Sequence, residues 1–167
     1  FGSYGEKETF FKLKGEIEAL FAGLRMKKAS YTAEKNNPSY HPGRCASISI
    51  DGEVIGVMGQ VHPLVAKNYG IDSEVYFAEL NFTKMLGLRL PDPTFTALPK
   101  YPAVSRDLAL ICSEDITVAQ VEEVISASAG KLLRKNQLFD IYRGVGVPEG
   151  KKSMAFSLQL RADDRTL

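Results

Sequence analysis

Leu98-Pro-Lys-Tyr-Pro-Ala-Val-Ser-Arg-Asp-Leu-Ala-Leu-Ile-Cys112 is the stretch whose reading decides the fold. Pro99 and Pro102 fix φ and donate no N–H, so they suit an extended lead-in better than a strand interior. Val104, Leu108, Leu110 and Ile111 then make an apolar, β-prone run with Arg106-Asp107 at its mouth, and this predicts the first strand of a new unit. Leu90-Pro-Asp-Pro93 just upstream reads as the boundary, because Pro-rich exposed segments separate bodies with few shared contacts. Two domains follow, residues 1–93 and 94–167.

After the opening strand, Ser113-Glu-Asp-Ile116 makes a turn. Thr117 stands three residues before Gln120, a capping-box spacing that starts a helix. Val118, Val121, Val124 and Ile125 share one face of it, and Gly130 suits its end. Leu133–Arg143 reads as a strand, Gly144–Gly150 as a loop, and Lys151–Ala162 as the clearest strand of the chain. There Met154, Phe156, Leu158 and Leu160 alternate with Ala155, Ser157, Gln159 and Arg161, giving one dry face and one wet. The order β-α-β-β would continue in a split βαβ layout to a helix and a fourth strand. The expectation is a sheet left partly uncovered, in a piece cut from something longer.

Upstream, Phe10, Phe11, Leu13, Ile17, Leu20, Phe21 and Leu24 recur at helical spacing and predict an amphipathic helix over Glu6–Arg25 with its aromatic stripe in the core. Lys27–Glu34 suits a short strand, and Asn36-Asn-Pro38 a turn. Tyr40–Arg44 reads as an irregular loop leading into a strand over Ala46–Ile50. Asp51-Gly52 signals a two-residue hairpin whose partner is Val54–Val61. A short helix over Leu64–Tyr69, a strand over Val75–Leu80 and a helical turn over Thr83–Leu88 complete the domain. The class is α+β.

Composition excludes little. The 167 residues are 44% hydrophobic and 25% charged with a net charge of +1, so any nucleic-acid surface must come from the distribution of charge. Cys45 and Cys112 lack metal-type spacing and read as free thiols of a reducing, cytoplasmic compartment. His41, Cys45 and His62 have no fourth ligand at a useful spacing, so both histidines are read as turn residues and no metal is expected. No apolar run reaches the roughly 18 residues a membrane span needs. No phosphate loop, nucleophile elbow or zinc-protease helix occurs, Gly56 and Gly59 read as close backbone packing within a strand, and Glu122-Glu123 as a solvated face. The catalytic set is therefore empty.

A binding surface is better supported. With a helix on one sheet face, the other stays open, and strand alternation assigns it Ala155, Ser157, Gln159 and Arg161. On the second strand Phe139 and Ile141 are expected inward, with Asp140 and Tyr142 outward. On the first strand, Asp107 and Ala109 match them. A tyrosine, an aspartate and small polar residues on a flat sheet suit an unstacked base: the ring offers a π-face and the carboxylate accepts from an exocyclic amine. Arg134, Lys135, Arg143, Lys151, Lys152 and Arg161 are the expected phosphate rim.

Several segments together carry a family resemblance. Tyr40-His-Pro-Gly-Arg44, Gly59-Gln-Val-His-Pro63, Tyr101-Pro-Ala-Val-Ser-Arg-Asp-Leu-Ala-Leu110, Leu138-Phe-Asp-Ile-Tyr-Arg143 and Pro148-Glu-Gly-Lys-Lys-Ser153 occur in that order, followed by Arg165-Thr-Leu167. The chain resembles the C-terminal part of the bacterial phenylalanyl-tRNA synthetase beta subunits. The resemblance implies that the first domain is the end of a catalytic-like module, with the class II synthetase fold but no activity, that contacts the catalytic alpha subunit of a heterotetramer. In keeping with this, no arginine stands between Gly56 and Tyr69, where an active class II site would place one for ATP. The second domain resembles the ferredoxin-fold anticodon-binding domain, here ending after its third strand. The implied tRNA-binding set is Tyr142 as stacking platform, Asp140 beside it, Ala109 and Ser157 lining the surface, and Arg143 and Arg161. No cofactor is expected in these residues, ATP and magnesium belonging elsewhere in the holoenzyme. A reading of another class is an ACT-like amino-acid-binding regulatory module, which shares the layout. The acidic, glycine-free Ser113-Glu-Asp115 turn argues against a carboxylate ligand there.

Overall fold

A computed structural model describes residues 1–167 and divides them into two compact units, Phe1–Thr94 and Phe95–Leu167. In the first unit the elements run β1 (Gly2–Tyr4), α1 (Phe10–Gly23), β2 (Ser30–Ala33), β3 (Tyr40–Ile50), β4 (Glu53–Val61), α2 (Pro63–Asn68), β5 (Val75–Leu80) and α3 (Phe82–Gly87). The five strands form one antiparallel sheet in the order β1-β5-β4-β3-β2.

Helix α1 starts later than its apolar periodicity suggests. Thr9 is the N-cap, its hydroxyl accepting from the Lys12 N–H, so residues 6–8 stay outside. At the other end Arg25, at φ +58°, and Met26 return hydrogen bonds to the Ala22 and Phe21 carbonyls, a Schellman closure made without glycine. Leu13, Ile17 and Phe21, spaced by four, are buried against Ile48, Ile50, Ile55, Met58, Tyr76 and Ala78. Phe11, expected in this stripe, instead points to solvent and is 78% exposed, because its position lies off that row.

Asp51 and Gly52 take φ of +52° and +81° and close the β3–β4 hairpin in two residues, as an Asp-Gly pair favours. Strand β3 begins at Tyr40 rather than Ala46. The Tyr40–Arg44 segment expected as a loop is extended chain carrying a register shift between Tyr40 and Cys45. Gly56 and Gly59 serve close packing: a Cβ there would fall 2.2 Å from the Glu79 carbonyl oxygen and 2.5 Å from that of Arg44.

The second unit contains β6 (Val104–Ser113), α4 (Val118–Ala129), β7 (Leu133–Tyr142) and β8 (Lys151–Leu160). Its sheet is antiparallel, with β8 in the centre between β6 and β7. The outer margin of β6 has no strand partner. Helix α4 opens with the full capping box of Thr117 and Gln120 and ends at Gly130, φ +52°. Val121 and Ile125 from α4 meet Met154, Phe156 and Leu158 of β8, flanked by Leu108, Leu110, Leu133 and Leu138. Each such side chain taken fully out of water contributes about 1.5–3 kcal/mol. Val124, expected on the same helix face, is 64% exposed, since the buried stripe is the narrow row 121–125. Only one sheet face is covered.

Candidate nucleic-acid interface

Register fixes what stands on the uncovered face. Ile111, Ser153 and Tyr142 lie side by side across the three strands; Ala109, Ala155 and Asp140 form the next row, and Asp107, Ser157 and Gln137 the one after. Neighbouring strands are about 4.8 Å apart and same-face residues about 6.8 Å apart along a strand. In these three rows the middle strand contributes the small residues Ser153, Ala155 and Ser157 to the floor, while Ile111 and Tyr142 rise on either side of it. Asp140 sits one step from Tyr142 on the same strand and face.

That face exists because β7 is not regular. Leu138 and Phe139 are consecutive apolar residues, and a period-2 strand can bury only one of them. A register shift between Leu138 and Asp140 resolves the conflict: Leu138 packs into the core, and Asp140 returns to the open side opposite Ala155. Phe139, expected inward, is the extra residue and is 57% exposed. Ile141 does pair with the buried Met154, on the covered side. A second shift between Leu133 and Lys135 gives the same re-phasing at the other end of the strand.

Tyr142 is 47% exposed, and its hydroxyl donates to the Val145 carbonyl at 3.4 Å. Ala109 stands in the row of Asp140, whereas Ser157 lies two rows from Tyr142. The serine in register with Tyr142 is Ser153, which strand alternation alone does not single out. Ile111 is missed for a related reason: it belongs to a continuous apolar run whose faces only pairing reveals.

Half of the expected cationic rim, Arg134, Arg143 and Lys152, is engaged within the fold. Arg143 forms a two-pronged pair with Glu114, Nε to Oε1 at 2.6 Å and an Nη to Oε2 at 2.9 Å. This hydrogen bonding holds the Glu114 carboxyl below the usual carboxylate range and raises the Arg143 guanidinium above its own. Lys152 is buried on the helix side and donates to the Glu114 carbonyl at 2.7 Å. Arg134 pairs with Asp163 at 2.5 Å. Arg161 lies beyond the far end of β8, partly buried, its backbone N–H donating to the Leu132 carbonyl, so it is not brought to Tyr142. Lys135 and Lys151 remain exposed on β7 and β8. Lys151 is next to Ser153 on the open side.

In the first unit both histidines act as turn acceptors. Nδ1 of His41 accepts from the Gly43 N–H at 3.0 Å, and Nδ1 of His62 from the Leu64 N–H at 3.2 Å. Arg44 holds the neighbouring strands together through Gln60 at 2.8 Å and Glu74 at 3.0 Å. No cluster of His, Cys, Asp or Glu is arranged to hold a metal ion, and no helix is long and apolar enough to cross a membrane.

The second unit thus presents a bare three-stranded floor with an aromatic wall and an acid, and its sequence from 99 to 167 matches the family model of the ferredoxin-fold anticodon binding domain. Residues 2–82 match the model of the phenylalanyl tRNA synthetase beta chain CLM domain. Among curated relatives, the phenylalanine–tRNA ligase beta subunit of Clostridium tetani is 41% identical over 99% of this chain and 21% of its own length. That of Bacillus subtilis is 41% identical over 98% of the chain and 20% of its own length, and that of Streptococcus thermophilus 47% over 89% and 18%. The chain belongs to the phenylalanyl-tRNA synthetase beta subunit family. It spans about a fifth of the length of the curated relatives it matches.

Proposed function

We propose that this chain is the accessory, non-catalytic end of a phenylalanine–tRNA ligase beta subunit, acting in the ATP-dependent charging of tRNA with phenylalanine in the cytoplasm. The first unit, a catalytic-like module without catalytic residues, contacts the catalytic alpha subunit. The second reads the anticodon loop of the tRNA. ATP, magnesium and phenylalanine are bound elsewhere in the holoenzyme.

One observation carries the reading: Tyr142 and Asp140 emerge together on a sheet face that no helix shields, beside a floor of small residues. A base laid on the Tyr142 ring gains stacking, and its exocyclic amine finds an acceptor in Asp140. Ser153 and Ala155 leave room for the base to descend to the floor. Lys151 and Lys135 supply positive charge on that side for the phosphates.

In the holoenzyme, Tyr142→Ala is expected to raise the dissociation constant for the cognate tRNA by about 5- to 150-fold, the range set by loss of one base–aromatic stack. The amino-acid activation rate, read by pyrophosphate exchange, reports separately on the alpha-subunit site. Equal tRNA affinity in the two forms would sink the proposal.

A further inference from the structure

The loop from β7 to β8 contains three glycines, and they are there for different reasons. Gly146 and Gly150 take φ of +91° and +73°, and nothing lies within 4 Å of where a Cβ would stand. Those two serve the backbone. Gly144 has no such φ, so its conformation is open to any residue. A Cβ on Gly144 would nevertheless fall 2.6 Å from the Tyr142 hydroxyl oxygen, 2.9 Å from Cζ and 3.4 Å from Cε2. What a side chain at this position would meet is the neighbouring ring, not the backbone.

We infer that Gly144 is a positioning residue for Tyr142: its bare Cα is the surface on which the outer end of the phenol ring rests, and this sets the tilt at which the ring meets a base. The inference builds on the anticodon reading given above. Two neighbouring contacts act with the glycine. The Tyr142 hydroxyl reaches the Val145 carbonyl at 3.4 Å, one residue past the glycine. Arg143, between Tyr142 and Gly144 in sequence, pairs at two points with Glu114 and so links this end of β7 to the turn after β6. The aromatic platform is therefore held from its tip as well as from its strand. A methyl group at residue 144 must displace either the ring or the loop, and the ring, a side chain that can change rotamer at the cost of its one hydrogen bond to Val145, is the partner that yields.

The test is a double-mutant cycle in the holoenzyme, reading KM for tRNA and kcat for charging with wild type, Gly144→Ala, Tyr142→Ala and the double variant. Gly144→Ala is expected to raise the tRNA KM at least about threefold with kcat held within about twofold, the split that loss of substrate binding produces. In the Tyr142→Ala background the same change should have no further effect, because the atoms it would displace are gone. Gly146→Ala serves as the loop control: it strains the same segment through its φ without approaching the ring, and should raise KM less than Gly144→Ala. An unchanged KM in Gly144→Ala, an equal penalty in both backgrounds, or an equal effect of Gly146→Ala would each overturn the inference while leaving the anticodon reading standing. A Tyr142→Ala enzyme with wild-type KM would remove the anticodon reading and this inference together.

Discussion

Glu114 ties together three separate parts of the second unit. Its carboxylate takes the Arg143 fork, its carbonyl accepts from the buried Lys152, and it lies in the turn that leaves β6. Because the Arg143 hydrogen bonds depress its pKa in the folded protein, the stabilisation is complete above the unfolded pKa of about 4.3 and is lost as pH falls through the lower folded value. Glu114→Gln should therefore lower the heat-unfolding midpoint at pH 7, and the gap to wild type should close as the pH is taken toward 3. A gap that stays constant with pH would mean the clasp contributes nothing through its charge. The same residue explains why part of the expected phosphate rim is engaged within the fold. Arg143 and Lys152 look like surface cations along the sequence, but their partner lies 29 and 38 residues away, where no local pattern points to it.

At the scale of the element, β7 decides what the sheet can present. Its two register shifts let Leu133, Leu138 and Ile141 face the helix side while Lys135, Asp140 and Tyr142 face out, a division that simple alternation cannot deliver from this sequence. Phe139 is the residue left over. Phe139→Ala is accordingly expected to change stability by no more than about 0.5 kcal/mol, whereas Phe156→Ala, at 0% exposure in the core, should cost about 3–5 kcal/mol. Urea titrations of both variants would check the contrast, and a large loss for Phe139→Ala would place it in the core after all. Much of the remaining architecture was legible beforehand. The alternation of Met154 to Leu160, the Thr117–Gln120 box and the Asp51-Gly52 turn are local signals, and each is realised where it was expected. Alternation counted from Tyr142 puts Asp140 and Tyr142 outward, as the register does, but puts Phe139 inward, where the structure leaves it exposed. What stayed hidden was cross-strand register, and with it Ser153 and Ile111, because pairing links residues that no sequence window contains together.

For the whole molecule, the governing fact is that each unit has its own buried cluster, one centred on Ile17, Ile48 and Met58 and the other on Met154 and Phe156. The segment from Pro91 to Tyr101 has neither helix nor strand, and its Phe95 is 94% exposed. Exposed, irregular chain of this kind is where proteases enter first. Brief chymotrypsin treatment is expected to make its first internal cut after Phe95 and to leave two resistant products, identified by mass spectrometry. First cleavage inside β3 or β8 would contradict the division into independent bodies. The outer margin of β6 has a further consequence. Its backbone amides and carbonyls on that side pair with no neighbouring strand, so any extended segment laid alongside would find a ready template. Such an addition would extend the platform from three strands to four and place new side chains beside Asp107, Ala109 and Ile111. The width of the open sheet face is thus set by whatever strand occupies that margin as well as by the residues already on it.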